Sequence, residues 1–239
     1  VLLSIQIIRK MNLPFEMHLQ IHKESLHRII RVGFPIARQD FLVSLSFIAI
    51  LMFVNALGVT ASAGVGIAEK VCAFIMLILS AFMQSMSAFV AQYVGAHKID
   101  RANKTLYSGI VLSLVFGILM SFLTFHFRSN MAGIFTTNPM VIKAGACYLE
   151  AYAIDCLLTC FLFCFVGFYN GVGQTVFVMV QGIIGAFCVR IPVPYVMSHQ
   201  RPVSLFHIGL ATPCSTIIQI VLCLIVFHHM QTKLKESRT

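Results

Sequence analysis

The chain of 239 residues contains no tryptophan and only 10% charged residues, whereas 59% of its residues are hydrophobic. Soluble globular domains carry about 25% charged residues, and the mean hydropathy of this chain is +0.90. This composition excludes an ordinary water-soluble domain. It indicates a polytopic helical membrane protein, because several apolar runs are long enough to cross about 30 Å of hydrocarbon.

Signatures of soluble enzymes and nucleotide-binding proteins are also absent from the sequence. It contains no His-Glu-x-x-His, Gly-x-Ser-x-Gly or Gly-x-x-x-x-Gly-Lys motif, which would supply zinc ligands, a serine nucleophile or a phosphate loop. The glycine pairs within 64–66 and 171–173 lack the strand–turn–helix context of a phosphate loop. We therefore expect a protein that is not an enzyme and that uses no cofactor and no bound metal.

Acidic residues are scarce, at 8 against 17 Lys and Arg, which gives a formal net charge of +9. In a soluble protein this excess would suggest nucleic-acid binding. Here the cations lie mainly in short hydrophilic gaps between apolar runs, without interleaved aromatic residues. Loops that face anionic lipid explain them better. We expect the lipid bilayer as a partner and no nucleic acid.

The sequence has no Cys-x-x-Cys pair, and its cysteines lie in apolar segments or at their edges: Cys72, Cys147, Cys156, Cys160, Cys164, Cys188, Cys214 and Cys223. Cys156, Cys160 and Cys164 repeat every four residues, so they share one face of a helix. We interpret them as small packing residues, with a path for soft metal ions as the alternative. The spacing Gly167-x-x-x-Gly171 likewise predicts close helix packing.

Six apolar segments follow one another at about 33–57, 66–95, 106–127, 144–169, 174–197 and 205–229. Each is long enough for a tilted membrane-spanning helix at about 1.5 Å per residue. Lipid offers the backbone no hydrogen-bond partners, so a spanning segment of this length must be helical. The predicted fold class is all-α, a polytopic transmembrane bundle whose six-helix lobe covers 32–230.

Shorter segments flank this lobe. We interpret 1–8 as the end of a preceding transmembrane helix, which predicts a fragment without its front end. Residues 9–31 are predicted to be an extended cytoplasmic connector, and 231–239 a cytoplasmic tail. This orientation places most of the Lys and Arg residues in the cytoplasm, as the positive-inside rule requires. We expect a multi-pass protein of the cell membrane, with the connector and the C terminus in the cytoplasm.

Ionisable residues inside apolar segments need a reason, because a charge at the bilayer centre costs about 2.5–3.5 kcal/mol on insertion. Asp155 lies near the midpoint of the fourth segment, Asp40 in the first and Arg190 in the fifth. One interpretation is that Asp155 and Asp40 bind a coupling cation or proton. The other is a structural ion pair of an aspartate with Arg190 or Arg38.

Uncharged polar residues accompany these charges in the apolar segments. Gln84 stands in the middle of the second segment, Asn55 near the end of the first, and Gln39 next to Asp40. We expect Gln84, Asn55 and Gln39 to line a polar cavity for substrate. Hydrogen bonding between helices is the alternative role for such residues.

Five stretches resemble the multidrug and toxic compound extrusion (MATE) transporters. They are Phe53-Val-Asn-Ala-Leu-Gly58, Ala61-Ser-Ala-Gly-Val-Gly-Ile-Ala-Glu-Lys70, Val90-Ala-Gln-Tyr-Val-Gly-Ala-His-Lys-Ile-Asp-Arg-Ala-Asn103, Gly167-Phe-Tyr-Asn-Gly-Val-Gly-Gln-Thr175 and Val189-Arg-Ile-Pro-Val193. The similarity extends over about 30–235. Its most specific part is the block Ala-Gln-x-x-Gly-Ala-x-x-x-x-Arg-Ala, from Ala91 to Ala102.

The resemblance implies a fold of about twelve helices in two six-helix lobes around a central cavity. This chain is similar to the second lobe, so the missing N-terminal lobe is an expected partner. The resemblance also implies efflux of cationic amphipathic small molecules in exchange for Na⁺ or H⁺, by alternating access. Part of the family has acidic residues on the first and fourth helices of this lobe. Those positions correspond to about Val43 and Thr159, one turn from Asp40 and Asp155.

Two other functions remain open from the residues. A lipid-linked oligosaccharide flippase of related two-lobed design would need a cationic cavity for pyrophosphate, for which Arg38 and Arg190 are the candidates. A non-transporting structural membrane subunit would need no intramembrane acid. An Asp155 that faced lipid, or that was fully paired, would favour such a subunit.

Overall fold

A computed structural model describes residues 23–198 and 204–236, and every regular element in these ranges is a helix. The helices are α1 (Lys23–Asn55), α2 (Val59–Gly95), α3 (Ile99–Gly133), α4 (Pro139–Val172), α5 (Thr175–Ile184), α6 (Pro192–Ser198), α7 (Leu205–Gly209) and α8 (Ala211–Glu236). A π-helical turn, Gly185–Arg190, lies between α5 and α6. The chain divides into two compact units, Val1–Gly33 and Phe34–Thr239. All of the cavity residues discussed below lie in the second unit.

Six helical stretches are long and apolar enough to cross a membrane: Ile29–Asn55, Val59–Gly95, Ile99–Gly133, Pro139–Val172, Thr175–Met197 and Leu205–Thr232. They coincide with the six predicted segments, so the predicted all-α transmembrane fold is confirmed. The fifth stretch is interrupted by the π turn, and the sixth combines α7 and α8. The protein is therefore a multi-pass membrane protein.

The predicted extended connector is wrong where the structure describes it, because 23–31 belong to α1. Leu26, Ile29 and Ile30 have the i, i+3, i+4 spacing of a helix, and Glu24 lies in the first turn, where the helix dipole favours an acid. At the other end, α8 continues to Glu236 into the predicted tail. The predicted stub 1–8 and the rest of the connector, 9–22, lie outside the described residues.

Other helices also begin earlier than their apolar runs. Helix α4 begins at Pro139, and the side chain of Asn138 accepts a hydrogen bond of 3.0 Å from the backbone N–H of Met140. An asparagine cap followed by proline at the first helical position is a favourable helix start. Helix α4 ends before Gly173, whose φ of 88° is the left-handed conformation that glycine adopts readily.

Helix α4 is the centre of the bundle. In its apolar stretch 72% of the residues are buried, against 17% in that of α3. Helix α4 packs most extensively against α2 and α3, and it also contacts α5, α7 and α8. A helix that is apolar on all sides and surrounded by others is the expected core of such a bundle. Its side chains therefore contact most of the other helices of the lobe.

Close packing around α4 depends on glycines. A Cβ on Gly171 would lie 2.7 Å from the Cβ of Val90 and 2.8 Å from the carbonyl oxygen of Ser87, both on α2. A Cβ on Gly64 of α2 would lie 2.6 Å from the Cβ of Ala144. These contacts confirm the predicted packing role of Gly171. Small residues let the two backbones approach, which is how membrane helices gain contact area.

The π turn has a local cause in the sequence. Pro192 and Pro194 have no backbone N–H, so neither can donate the i→i−4 hydrogen bond of an α-helix. The chain forms a wider turn over Gly185–Arg190 immediately before them. In such a turn the hydrogen bonds connect i to i+5, which changes the direction in which the following side chains point. Arg190, the last residue of this turn, is 8% exposed.

Candidate functional site

A cavity of about 240 Å³ lies among α1, α2, α4, α5, the π turn and α8. Its lining includes both predicted aspartates, the predicted arginine and three glutamines. The lining residues are Gln39, Asp40, Val43, Phe47, Met76, Met83, Tyr152, Asp155, Thr159, Leu162, Phe163, Val166, Gln181, Gly182, Arg190, Thr212, Thr216 and Gln219. The structure thus brings together residues that are up to 180 positions apart in the chain.

Asp155 is the most deeply buried acid of this site, with 3% of its surface exposed. The Oγ1 hydroxyl of Thr216 on α8 donates a hydrogen bond of 2.7 Å to its Oδ1. The same hydroxyl lies 3.0 Å from the backbone carbonyl oxygen of Thr212. The carboxylate therefore faces the cavity and the α4–α8 contact, and it does not point to the outer surface of the bundle. This position contradicts the lipid-facing alternative.

Arg190 reaches the cavity from the π turn. The central carbon of its guanidinium lies 4.6 Å from the centroid of the Phe47 ring, which is a cation–π contact. Its Nε is buried and has no hydrogen-bond partner. Asp155 and Arg190 line the same cavity, but no direct salt bridge joins these two described residues. The predicted structural ion pair between them is therefore not a direct contact.

A second polar group comes from glutamines. Gln181 on α5 is 1% exposed, and neither its Nε2 nor its Oε1 has a hydrogen-bond partner. The Nε2 of Gln219 on α8 donates to the hydroxyl of Ser215, 3.1 Å away. That hydroxyl in turn donates to the carbonyl oxygen of Gly185 in the π turn, over 2.8 Å. The Nε2 donor of Gln219 thus has a partner within the protein, whereas the amide of Gln181 faces the cavity without one.

The structure places two predicted residues of α1, Gln39 and Asp40, in this cavity. The side chain of Gln39 packs against Gly182, where an added Cβ would lie 2.8 Å from its Nε2. Asp40 is more exposed than Asp155. The positions to which the MATE resemblance assigned acids, Val43 and Thr159, line the same cavity. Asp40 and Asp155 lie about one helical turn from these positions, and all four residues line the same cavity.

Two other predicted lining residues lie elsewhere in the structure. Asn55, near the end of α1, accepts a hydrogen bond from the hydroxyl of Ser62 on α2. Gln84 is exposed on α2. Neither residue lines the cavity that contains Asp155. Arg38, the other candidate partner of an aspartate, is also exposed.

The sequence motifs did not indicate that α8 lines the cavity. Three residues of α8 line the cavity, Thr212, Thr216 and Gln219, and they follow the i, i+4, i+7 spacing of one helix face. In an otherwise apolar helix, this stripe of polar residues can be recognised from the sequence. It predicts a helix face that turns away from lipid.

No group of three or more His, Cys, Asp or Glu side chains in 23–198 and 204–236 could hold a metal ion. The cysteine stripe on α4 makes packing contacts instead. The sulfur of Cys160 lies 3.1 Å from the carbonyl oxygen of Cys156, and that of Cys164 lies 3.1 Å from the hydroxyl of Ser113 on α3. These contacts agree with the interpretation of the cysteines as small packing residues.

The model of the MatE family matches residues 35–196 of this chain. This match covers more than half of the chain, including four of the six elements that form the cavity in full. The chain belongs to the MatE family. The resemblance noted in the sequence motifs is thereby confirmed.

Several curated relatives of this MatE chain are named as multidrug resistance proteins. The probable multidrug resistance protein YoeA of Bacillus subtilis (strain 168) is 26% identical over 214 residues, which are 86% of this chain and 44% of that protein. The probable multidrug resistance protein NorM of Thermotoga maritima is 27% identical over 189 residues, 78% of this chain and 39% of that protein. The chain therefore spans less than half the length of these relatives.

Solved structures agree on the fold. The crystal structure of MATE in the straight conformation superimposes with a TM-score of 0.82 at 14% identity, over 100% of this chain and 55% of that one. A MOP superfamily transporter from Pyrococcus furiosus gives a TM-score of 0.75 at 17% identity, over 82% of this chain and 43% of that one. The six-helix arrangement is therefore that of about half of a two-lobed MATE transporter.

Proposed function

We propose that this chain forms the second six-helix lobe of a secondary active multidrug efflux transporter. The transporter exports cationic amphipathic compounds in exchange for Na⁺ or H⁺. Membership of the MatE family and the multidrug resistance proteins among its relatives support the class of function. The observation that carries the proposal is a carboxylate, Asp155, that is 3% exposed and faces a polar cavity inside an apolar bundle.

Asp155 is proposed as the residue that couples ion movement to drug release. A buried carboxylate in a membrane is unfavourable unless it is neutralised by a proton or a cation. Asp40, which lines the same cavity and is more exposed, is proposed to share this ion on its way to or from Asp155. Thr216 provides one oxygen next to the carboxylate, and hydroxyl and carboxylate oxygens suit both a proton and Na⁺.

Transport is proposed to follow alternating access, in which two lobes rock about a central site. An ion can shift the population between the inward-open and outward-open forms only if it binds one of them more tightly. Asp155 contacts α8 through Thr216 and faces α1, α5 and the π turn across the cavity. Neutralising this carboxylate would change its hydrogen bond to α8 and the electrostatic field in a cavity lined by α1, α5 and the π turn, which is the kind of differential interaction that the mechanism needs.

The arrangement in the membrane is also a proposal. The N-terminal lobe would cover the surface of α1 and α2 where Gln84 and Asn55 are exposed, and these two residues would then line the route of the substrate. The protein would lie in the cell membrane with the connector and the C terminus in the cytoplasm. The concentration of Lys and Arg in the corresponding loops supports this orientation.

The first test is Asp155→Asn in the complete transporter that contains this lobe. We expect gradient-driven efflux of a fluorescent cationic dye from loaded cells to be abolished, because the amide can bind neither a proton nor a cation in this role. Membrane insertion, measured by immunoblot of purified membranes, should be unchanged. Undiminished efflux would remove Asp155 from the mechanism.

The matched control is Glu150→Gln on the same helix. Glu150 pairs with Arg128 at 3.7 Å on the surface, and both side chains are about one-third exposed. Glu150 does not line the cavity that contains Asp155, so this acid-to-amide change should leave efflux intact. Loss of efflux in both variants would indicate general damage to α4 and would contradict the specific role of Asp155.

The flippase alternative receives less support from the cavity. A pyrophosphate group needs several cationic side chains, whereas the charged residues of this lining are one guanidinium and two carboxylates, Arg190, Asp155 and Asp40. Arg38, the second cationic candidate, is not part of the lining. The structural-subunit alternative loses its main argument, since Asp155 is buried and faces the cavity.

A further inference from the structure

We propose that Arg190 binds a carboxylate of the transported ligand, so that this cavity selects amphipathic zwitterions over simple organic cations. The inference rests on the proposed function. It narrows the substrate class from cationic amphipathic compounds to amphipathic zwitterions. It concerns a guanidinium for which the coupling mechanism above has no use. The amide of Gln181, which lines the same cavity, is proposed as the second group that contacts the ligand carboxylate.

The first argument is the state of the guanidinium. Arg190 is 8% exposed, and its Nε is buried without a hydrogen-bond partner. A buried charge is stable only when it is paired and hydrogen-bonded, and breaking such a pair is strongly destabilising. The aromatic ring of Phe47 covers one face of the guanidinium at 4.6 Å but accepts no hydrogen bond in its plane. An acceptor that enters the cavity can complete this arrangement.

The second argument is that the carboxylate of Asp155 bonds to Thr216 and not to Arg190. Asp155 lines the same cavity but makes no direct salt bridge to Arg190, and its Oδ1 accepts the hydroxyl of Thr216 at 2.7 Å. The two opposite charges therefore face the same space from different walls. A ligand with separated positive and negative groups matches this arrangement, whereas a simple cation is attracted by Asp155 and repelled by Arg190.

The third argument is the amide of Gln181. It is 1% exposed, and both its donor and its acceptor atoms lack a partner in the structure. Unsatisfied buried polar atoms are rare in proteins and call for an explanation. The Nε2 donor can bind one oxygen of a ligand carboxylate while the planar guanidinium binds the other or both. Two independent side chains on one cavity thus have the donors that a carboxylate requires.

The position of Arg190 follows from the break in the helix. Gly185–Arg190 form the π turn, and the two prolines that follow prevent a regular α-helix there. Turns of this kind occur frequently at functional sites, because they change the direction of a side chain within an otherwise regular helix. The turn thereby places the guanidinium on the wall of the cavity, next to the Phe47 ring.

The test compares two dyes that differ only in the ligand group at issue, a rhodamine carboxylic acid and its methyl ester. Both carry the same cationic ring system, and only the acid carries a carboxylate. Their affinities for the purified complete transporter are measured by fluorescence polarisation in detergent. We expect Arg190→Gln to lower the ratio of acid affinity to ester affinity at least about tenfold, since the variant loses charge-assisted hydrogen bonds that only the acid can accept.

Two further variants make the ratio interpretable. Arg190→Lys keeps the charge but loses the planar fork, so we expect an intermediate ratio. Arg128→Gln removes a surface arginine that pairs with Glu150, and it should leave the ratio at the wild-type value. If Arg190→Gln does not give folded protein by size-exclusion chromatography, Arg190→Lys and Gln181→Leu are measured, and each should lower the ratio at least about threefold.

The proposal is overturned if the affinities for both dyes fall together, because a purely structural arginine would change the cavity for either ligand. An unchanged ratio overturns it as well. The result is separable from the proposed function, since the binding ratio requires no ion gradient. A transporter that binds the acid through Arg190 but shows no gradient-driven efflux of either dye would contradict the proposed function alone.

Discussion

Thr216 and Asp155 are 61 positions apart in the chain, and one hydrogen bond from the Thr216 hydroxyl connects their helices, α8 and α4. Thr216→Val keeps the shape of the side chain and removes that donor. Since a hydrogen bond to a charged group contributes about 1.5–3 kcal/mol, we expect the concentration of coupling ion that gives half-maximal efflux to change about tenfold or more. The measurement is dye efflux in proteoliposomes at varied Na⁺ and pH.

Thr216→Ser is the matched control, because it retains the hydroxyl and should keep the ion dependence near that of the wild type. If the valine and serine variants behave alike, the hydroxyl does not act on the carboxylate. The other threonines bond to backbone carbonyl oxygens: Thr212 to that of Gly209, the last residue of α7, at 2.9 Å, and Thr232 to that of His228 on α8, at 3.0 Å. Thr216 is thus the threonine of α8 for which a specific effect on Asp155 is expected.

Single residues of the site were predictable where charge stands out against an apolar background. Asp155, Asp40 and Arg190 could be identified because charges in membrane segments are rare, and all three line one cavity. Thr216 and Gln219 were not identified, since threonine and glutamine are common enough to need the spacing argument. The position of Arg190 relative to Asp155 could not be predicted, because it depends on the π turn, and no residue pattern places such a turn exactly.

At the scale of helices, the contact between α2 and α4 depends on glycines, one of which is Gly64. A Cβ on Gly64 would lie 2.6 Å from the Cβ of Ala144 and 2.8 Å from the backbone nitrogen of Gly145. Because both neighbours are fixed to the α4 backbone, Gly64→Ala must push the helices apart. Overpacking of this kind costs about 1–3 kcal/mol. We expect a loss of that size in the free energy of unfolding, measured by denaturant titration in mixed micelles.

Gly66 provides the control on the same helix, two residues away. A Cβ there would meet nothing within 4 Å. Alanine is the better helix former by about 1 kcal/mol, so Gly66→Ala should leave the stability unchanged or raise it. Equal destabilisation by both alanines would show that the effect comes from the backbone of α2 and not from its contact with α4.

Hydropathy was sufficient to predict where the helices lie, but it did not predict where they end or are interrupted. The apolar runs predicted six crossings, yet α1 and α8 extend into charged segments because a helix also forms in water-facing residues without proline or glycine. The predicted connector was wrong over 23–31 for this reason. The fifth crossing was predicted as one segment, 174–197, and only the structure shows that a π turn over Gly185–Arg190 interrupts it.

For the whole molecule, the polar residues on the outside of this lobe limit its possible surroundings. Asp40 and Gln84 are exposed in segments that are long and apolar enough to cross a membrane. Contact with lipid would be costly for both, and for the carboxylate most of all. The chain also spans 44% of YoeA and 43–55% of two MATE-type structures. Both observations support a second lobe that completes a polar cleft.

We therefore expect this lobe by itself to insert into membranes but to give no gradient-driven dye efflux. Co-expression with a first six-helix lobe from the same transporter should restore efflux, because alternating access requires two bodies that move against each other. The measurement is dye retention in cells that express either lobe or both, with insertion verified by protease protection. Efflux by this lobe alone would contradict the two-lobed mechanism, and cross-linking would then show whether a second copy of the chain takes the place of the first lobe.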